Sequence, residues 1–122
     1  MEQRFTFSSE ATRNGFIATL ELPIYSQDDL YRELSAALHF PEYFGNNWNA
    51  LLDCLSDLSW IAEYHVTLIH TACPKLPAAD LVVYLEVMID ALNIWNDPRH
   101  RERHALEVVF PAGTEQTIRL LL

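Results

Sequence analysis

The stretch Phe40-Pro41-Glu42-Tyr43-Phe44-Gly45-Asn46-Asn47-Trp48-Asn49-Ala50-Leu51-Leu52-Asp53-Cys54-Leu55 holds most of the information in this sequence. Proline at 41 disfavours helix at the residue before it, so any preceding helix stops there. Glu42-Tyr43-Phe44-Gly45 reads as a short loop. Asn46 or Asn47 can cap a new helix, because an amide oxygen accepts from the backbone N–H groups that a first turn leaves free. That helix is expected to run to about Leu58. At about 100° per residue, Trp48, Leu51, Leu52, Leu55 and Leu58 gather on one side, the spacing of a buried stripe. Asn46, Asn49, Asp53, Ser56 and Asp57 gather on the other. Asp53 is near the centre of this polar face, with Asn49 one turn before it and Asp57 one turn after.

Three small costs coincide on that face. Aspartate is a poor helix former in mid-helix. Asp53 and Asp57 are like charges at i, i+4 and repel by a few tenths of a kcal/mol. Asp57 also lies near the negative end of the helix dipole. Positions that break local rules are more often functional than average. The plain alternative is a solvated helix face.

On either side of this stretch the pattern alternates between strands and helices. Arg4 to Ser8 alternates polar and apolar as a short strand does, and Asn14-Gly15 signals a turn. Phe16 to Leu22 reads as a strand closed by Pro23. Ser26 caps a first helix with an inward stripe of Leu30, Leu34, Ala37 and Leu38. Tyr64 to His70 reads as a buried strand. Pro77 suits the first turn of a long third helix that ends near Asn96, before Pro98. Its core stripe is Leu81, Tyr84, Leu85, Met88, Leu92 and Trp95, and its polar stripe is Glu86, Asp90, Asn93 and Asp97. Leu106 to Phe110 is a further strand. Pro111-Ala112-Gly113 turns, and Thr117 to Leu122 is expected to return as a final antiparallel strand. Strands separated by helices imply crossovers, hence an α/β fold with a mostly parallel sheet faced by helices.

The chain has 122 residues, half of them apolar, enough for one domain with a sizeable core. No repeat or linker divides residues 1–122. Seventeen Asp and Glu stand against eight Lys and Arg, a formal charge of −9. Residues 20–97 hold twelve of the acids and only Arg32 and Lys75 as bases. Such a chain is repelled by nucleic acid and by anionic membranes, so neither is an expected partner. No run of about 18 apolar residues is present to span a membrane. Met1 to Phe7 lacks the apolar core of a secretory signal. With two cysteines, Cys54 and Cys73, a reduced cytoplasmic protein is expected.

The quoted run resembles the signature of the barstar family, intracellular inhibitors of secreted ribonucleases. The family pattern is roughly Pro-Glu-Tyr-aromatic-Gly-x-Asn-apolar-Asp-Ala-Leu-x-Asp-Cys-Leu, and nearly every position matches without a gap. The resemblance implies a three-stranded parallel sheet packed with helices over about residues 16–110. The strands near the two termini would be additions, expected to pair antiparallel. It further implies an immunity protein whose loop and second helix plug the cleft of a cognate ribonuclease. Tyr43 would supply an aromatic contact, and Gly45 and Asn47 would present polar groups. Asp53 would be the central carboxylate in the enzyme's phosphate pocket, and Asp90 an acidic contact on the last helix. Three positions depart from the pattern. Asn49 replaces a second aspartate, Leu52 a tryptophan and Asp57 a glycine, so the cognate enzyme is expected to differ from the family's usual target. The partner surface by this reading is Tyr43, Gly45, Asn47, Asn49, Leu52, Asp53, Asp57 and Asp90, on a chain expected to be monomeric when free. A barstar-like adaptor that binds another basic protein without inhibiting a nuclease is the second reading, and those departures leave it open.

Enzymatic readings find little in the sequence. His100 and His104 sit in His-Arg-Glu-Arg-His rather than His-Glu-x-x-His, between arginines that repel a cation. His65 and His70 fall on opposite faces of a strand. Cys54 lies toward the buried side of its helix, where thiols are inert packing. No glycine-rich phosphate loop, Cys-x-x-Cys or nucleophile elbow is present, so no catalysis, metal or cofactor is expected. The Arg99, Arg101, Arg103 cluster is short and reads as a solvated loop, without the interleaved aromatics of an RNA-binding surface.

Overall fold

A computed structural model describes residues 5–7, 15–21, 23–100 and 102–122. The strands are β1 (Thr6–Phe7), β2 (Phe16–Leu20), β3 (His65–His70) and β4 (Ala105–Phe110). The helices are α1 (Gln27–Leu38), α2 (Trp48–Asp57), α3 (Ala78–Asn96) and α4 (Glu115–Leu121). The described strands form one sheet in the order β1-β4-β3-β2, and every neighbouring pair is parallel. β2 reaches β3 through α1 and α2, and β3 reaches β4 through α3, the crossovers that parallel pairing requires.

Two expectations are corrected. The sheet has four strands rather than three, and its N-terminal addition pairs parallel, Thr6 with Val109 and Phe7 with Phe110. Phe5 and Phe7 pack their rings against Phe110, at 5.0 and 6.2 Å between centroids. The Thr6 hydroxyl donates to Glu107 at 2.9 Å. The second correction is at the C-terminus, where Thr117 to Leu122 forms no strand. The Pro111 carbonyl accepts from both the N–H and the hydroxyl of Thr114, which winds Ala112–Thr114 into a 3₁₀ turn. α4 follows directly. Glu115 pairs with Arg119 at i, i+4, and Ile118 is buried. A returning strand would also need the edge of β4 that β1 occupies.

Other elements follow their local chemistry. Ser26 caps α1, its hydroxyl accepting from the Asp29 N–H at 3.1 Å. Gly15 has φ +71°, and a Cβ there would meet the His65 carbonyl at 2.3 Å, so only glycine fits. Its expected partner in the turn, Asn14, is outside the described residues, as are Arg4, Ser8, Leu22 and Arg101. Leu20, Leu34, Leu51, Leu55, Leu68, Tyr84, Leu85 and Phe110 are fully buried between sheet and helices. Each such side chain contributes about 1.5–3 kcal/mol over exposure.

One polar pair lies inside this core. The Tyr84 hydroxyl is 2.6 Å from His70 Nε2, and His70 Nδ1 is 2.9 Å from the Val109 carbonyl. A neutral ring with its proton on Nδ1 satisfies all three groups. Burial lowers the His70 pKa to about 4, against a smaller opposing effect of the Val109 bond, and the ring stacks on Phe110 at 4.0 Å.

Candidate functional site

The loop before α2 is built by its polar residues. Asn46 turns the chain through φ +52°, a left-handed conformation that asparagine tolerates better than most side chains. Asn47 follows in extended conformation and caps α2. Its amide oxygen accepts from the Ala50 N–H at 2.8 Å, and its amide N–H donates to the Gly45 carbonyl at 3.2 Å. A Cβ on Gly45 would come to 3.3 Å from that amide nitrogen, so the bare glycine lets Asn47 fold back. Phe44 anchors the loop inward, against Phe40 at 4.9 Å and Tyr31 at 5.8 Å. Tyr43, one residue earlier, stays 72% exposed.

The far end of α2 is held by two donors from elsewhere in the chain. Trp95 of α3 donates its indole N–H to the Leu55 carbonyl at 2.6 Å. Leu58 closes the helix at φ +50°, and its carbonyl lies 2.9 Å from His104 Nε2. The other nitrogen of His104, Nδ1, faces the Glu63 carbonyl at 3.0 Å. His104, next to the arginine cluster expected to be a solvated loop, is therefore a buried structural group. Sequence reasoning missed this because the partners are backbone carbonyls about forty residues away, which no local pattern encodes.

With both ends fixed, α2 turns the first part of the expected polar face outward, while the Ser56 hydroxyl toward its end is buried. Asn49 and Asp53 are exposed, Ser56 and Asp57 are half-buried, and Leu51, Cys54 and Leu55 are buried. Trp48 and Leu52, placed on the core stripe by the sequence, are only half-buried. Trp48 packs edge-on against Tyr31 at 5.5 Å and lies 6.5 Å from Tyr84. Asp57 lies beside Tyr43. Local desolvation, the charges of Asp57 and Cys54 and a hydrogen bond to the Asp57 carboxylate together raise the Tyr43 phenol above its ordinary value. Burial raises the Cys54 thiol, with the Asp53 and Asp57 charges adding to it, so this cysteine is not an activated nucleophile. Cys73 is raised by burial as well, and both cysteines are free thiols.

The long helix α3 lies next to α2, and a groove of about 530 Å³ lies between them. Asn49 and Leu52 of α2 line it, opposite Glu86 and Asp90 of α3. The expected site residues therefore fall into two neighbouring groups. Tyr43, Gly45, Asn47 and Asp57 belong to the loop and the side of α2 beneath it. Asn49, Leu52 and Asp90 belong to the groove. Asp53 is on α2 one turn from both Asn49 and Asp57.

Glu86 joins Asp90 in the groove, and its i, i+4 spacing from Asp90 on a polar stripe without Lys or Arg was the signal for it. Asp97, the fourth member of that stripe, is engaged elsewhere. It accepts from the Arg99 backbone at 2.9 Å and from its guanidinium at 3.2 and 2.9 Å. These bonds hold the Asp97 pKa down to about 2.

Among the described residues, no three His, Cys, Asp or Glu side chains gather as a metal site requires, and no helix is long and apolar enough to cross a membrane. A family model described as Barstar (barnase inhibitor) matches residues 17–110. No curated protein matches the chain.

Proposed function

The chain belongs to the barstar family, and from that membership we propose that it is an inhibitor that occludes the active site of a cognate ribonuclease. The observation that carries this reading is the joint exposure of Tyr43 and Asp53 on one loop–helix unit fixed at both ends. A ribonuclease binds a polyanion, so its cleft collects arginine and lysine. A carboxylate at Asp53 accepts paired hydrogen bonds from a guanidinium in place of a substrate phosphate. Tyr43 supplies an aromatic anchor beside it. Gly45 and Asn47 present backbone and amide groups at the rim, and Asn49, Leu52, Asp57 and Asp90 complete the contact surface. Because α2 is capped by Asn47 and held by Trp95 and His104 before the partner arrives, little conformational freedom is lost on binding. Occupation alone excludes RNA, so the inhibitor needs no catalysis and no cofactor.

In this proposal residues 1–122 act as one domain, monomeric until they meet the nuclease. The free thiols of Cys54 and Cys73 suit a reducing cytoplasm, where an immunity protein protects its own cell. The test is RNA cleavage by a panel of barnase-type ribonucleases, each titrated with the purified chain. Stoichiometric loss of cleavage for at least one enzyme is expected. Undiminished cleavage across the panel would overturn inhibition and leave the adaptor reading.

A further inference from the structure

The groove between α2 and α3 has a wall that the family match does not include. Leu122, the residue after α4, lines it together with Leu52 and Asp90. The matched region ends at residue 110, so this contact comes from the segment that follows it. Leu122 is 54% exposed, and one side of it also faces a second cavity, of about 350 Å³, against Phe7 and Ile118. The C-terminal segment thus lies beside the surface assigned above to the partner.

The chemistry of the groove indicates its occupant. Leu52, Val87, Ile89 and Leu122 give it apolar walls. Glu86 and Asp90, one helical turn apart on α3, add two exposed carboxylates. The ion pairs among the described residues join Arg32 to Asp29, Arg99 to Asp97 and Arg119 to Glu115, and neither groove acid takes part in one. Apolar walls beside uncompensated carboxylates complement a side chain with an aliphatic stem and a cationic head. Arginine suits this better than lysine, because its planar fork can address two carboxylates and is more weakly hydrated.

We propose that the C-terminal segment is a specificity element of the inhibitor: Leu122 closes the groove around an arginine side chain of the ribonuclease, its stem against Leu52 and Leu122 and its guanidinium at Asp90 and Glu86. Leucine at 52 leaves this groove open where a bulkier ring would fill it, so that departure from the family pattern and the C-terminal wall act together. The proposal rests on the inhibitory reading and extends it to residues outside the matched region.

The test uses the full chain and a barnase-type ribonuclease that it inhibits. Leu122→Ala is expected to weaken inhibition about three- to thirty-fold, mostly through faster dissociation. Asp90→Asn is expected to weaken it by a similar factor. Leu120→Ala is the control, since Leu120 is 79% exposed in the last turn of α4 and does not line the groove. It should inhibit like the unmodified chain. Circular dichroism of all three variants should match the parent. If Leu122→Ala and Asp90→Asn inhibit fully while Asp53→Ala does not, the groove proposal is overturned and the inhibitory reading stands. Equal losses in Leu120→Ala and Leu122→Ala would also overturn it, by pointing to the integrity of α4 instead. If the unmodified chain inhibits no ribonuclease in the panel, both readings fall together.

Discussion

Trp95 reaches from α3 to donate its indole N–H to the Leu55 carbonyl across 2.6 Å, inside the interface that carries the acidic helix. Both residues are buried, so the bond is shielded from water. Trp95→Phe keeps a ring in place but leaves the carbonyl without its donor. Stranding a buried acceptor costs about 1–3 kcal/mol. Urea unfolding should therefore show a lower midpoint by that amount, with an unchanged slope. A midpoint shift worth less than about 0.5 kcal/mol would deny the bond a structural role.

Asn47 caps the other end of the same helix. Asn47→Ala removes the acceptor for the Ala50 N–H and the donor to the Gly45 carbonyl. Loss of such a cap costs about 1 kcal/mol. The residue is exposed, so the fold survives and the loop beneath Tyr43 loosens. Faster amide exchange confined to residues 43–50 is the expected signature. Asn47→Asp, which keeps an acceptor at the cap, should restore most of the stability.

His70 makes stability depend on pH. Its ordinary pKa of 6.5 falls to about 4 in the folded chain, because burial opposes the charged ring. Between those values the unfolded chain binds more protons, so stability rises with pH across the window. The contribution is complete above about pH 6.5 and is lost as pH falls toward 4, by on the order of 3 kcal/mol. Carboxylates titrate in part of the same range, so the difference between parent and variant is the informative quantity. His70→Gln can still donate to Val109 and accept from Tyr84, yet it does not titrate. Unfolding free energies from pH 7 to 4.5 should fall less steeply for His70→Gln. Identical slopes would show that His70 is not the group responsible.

The sequence was most legible where a local pattern and burial agree. Leu51, Leu55 and Leu58 of the expected stripe, the Ser26 cap and the crossover order could be read from spacing and residue type, while the cap of α2 is narrowed only to Asn46 or Asn47. The outward face of Asn49 and Asp53 follows from the same wheel. What was not legible depends on distant partners. The last six residues are apolar enough to pass for a strand, but the edge of β4 on which they would pair is occupied by β1, from the other end of the chain. The same holds for β1, whose parallel pairing depends on aromatic packing against Phe110 from the other end of the chain. Leu52 fits a core stripe by spacing, yet it is only half-buried and lines the groove together with residues of α3 and Leu122.

Asp53 carries the most demanding prediction. It is exposed on a helix held at both ends by other residues, so Asp53→Ala should leave unfolding within about 0.5 kcal/mol of the parent. Truncating one partner of a desolvated charge pair costs about 2–5 kcal/mol of binding, a range to which barstar–ribonuclease pairs themselves contribute. Inhibition should then weaken by a factor of about 30 to several thousand. The excess of acids in residues 20–97 adds a kinetic signature, because a charged surface steers a cationic enzyme during encounter. Raising ionic strength from about 0.01 to 0.15 M shortens the screening length from roughly 30 to 8 Å, so the association rate should fall more than tenfold while dissociation changes little. Asp53→Ala acts mainly after encounter, so it should raise the dissociation rate and keep most of that salt dependence. An association rate that stays flat with salt would remove steering from the mechanism. Unimpaired inhibition by Asp53→Ala would remove the central carboxylate.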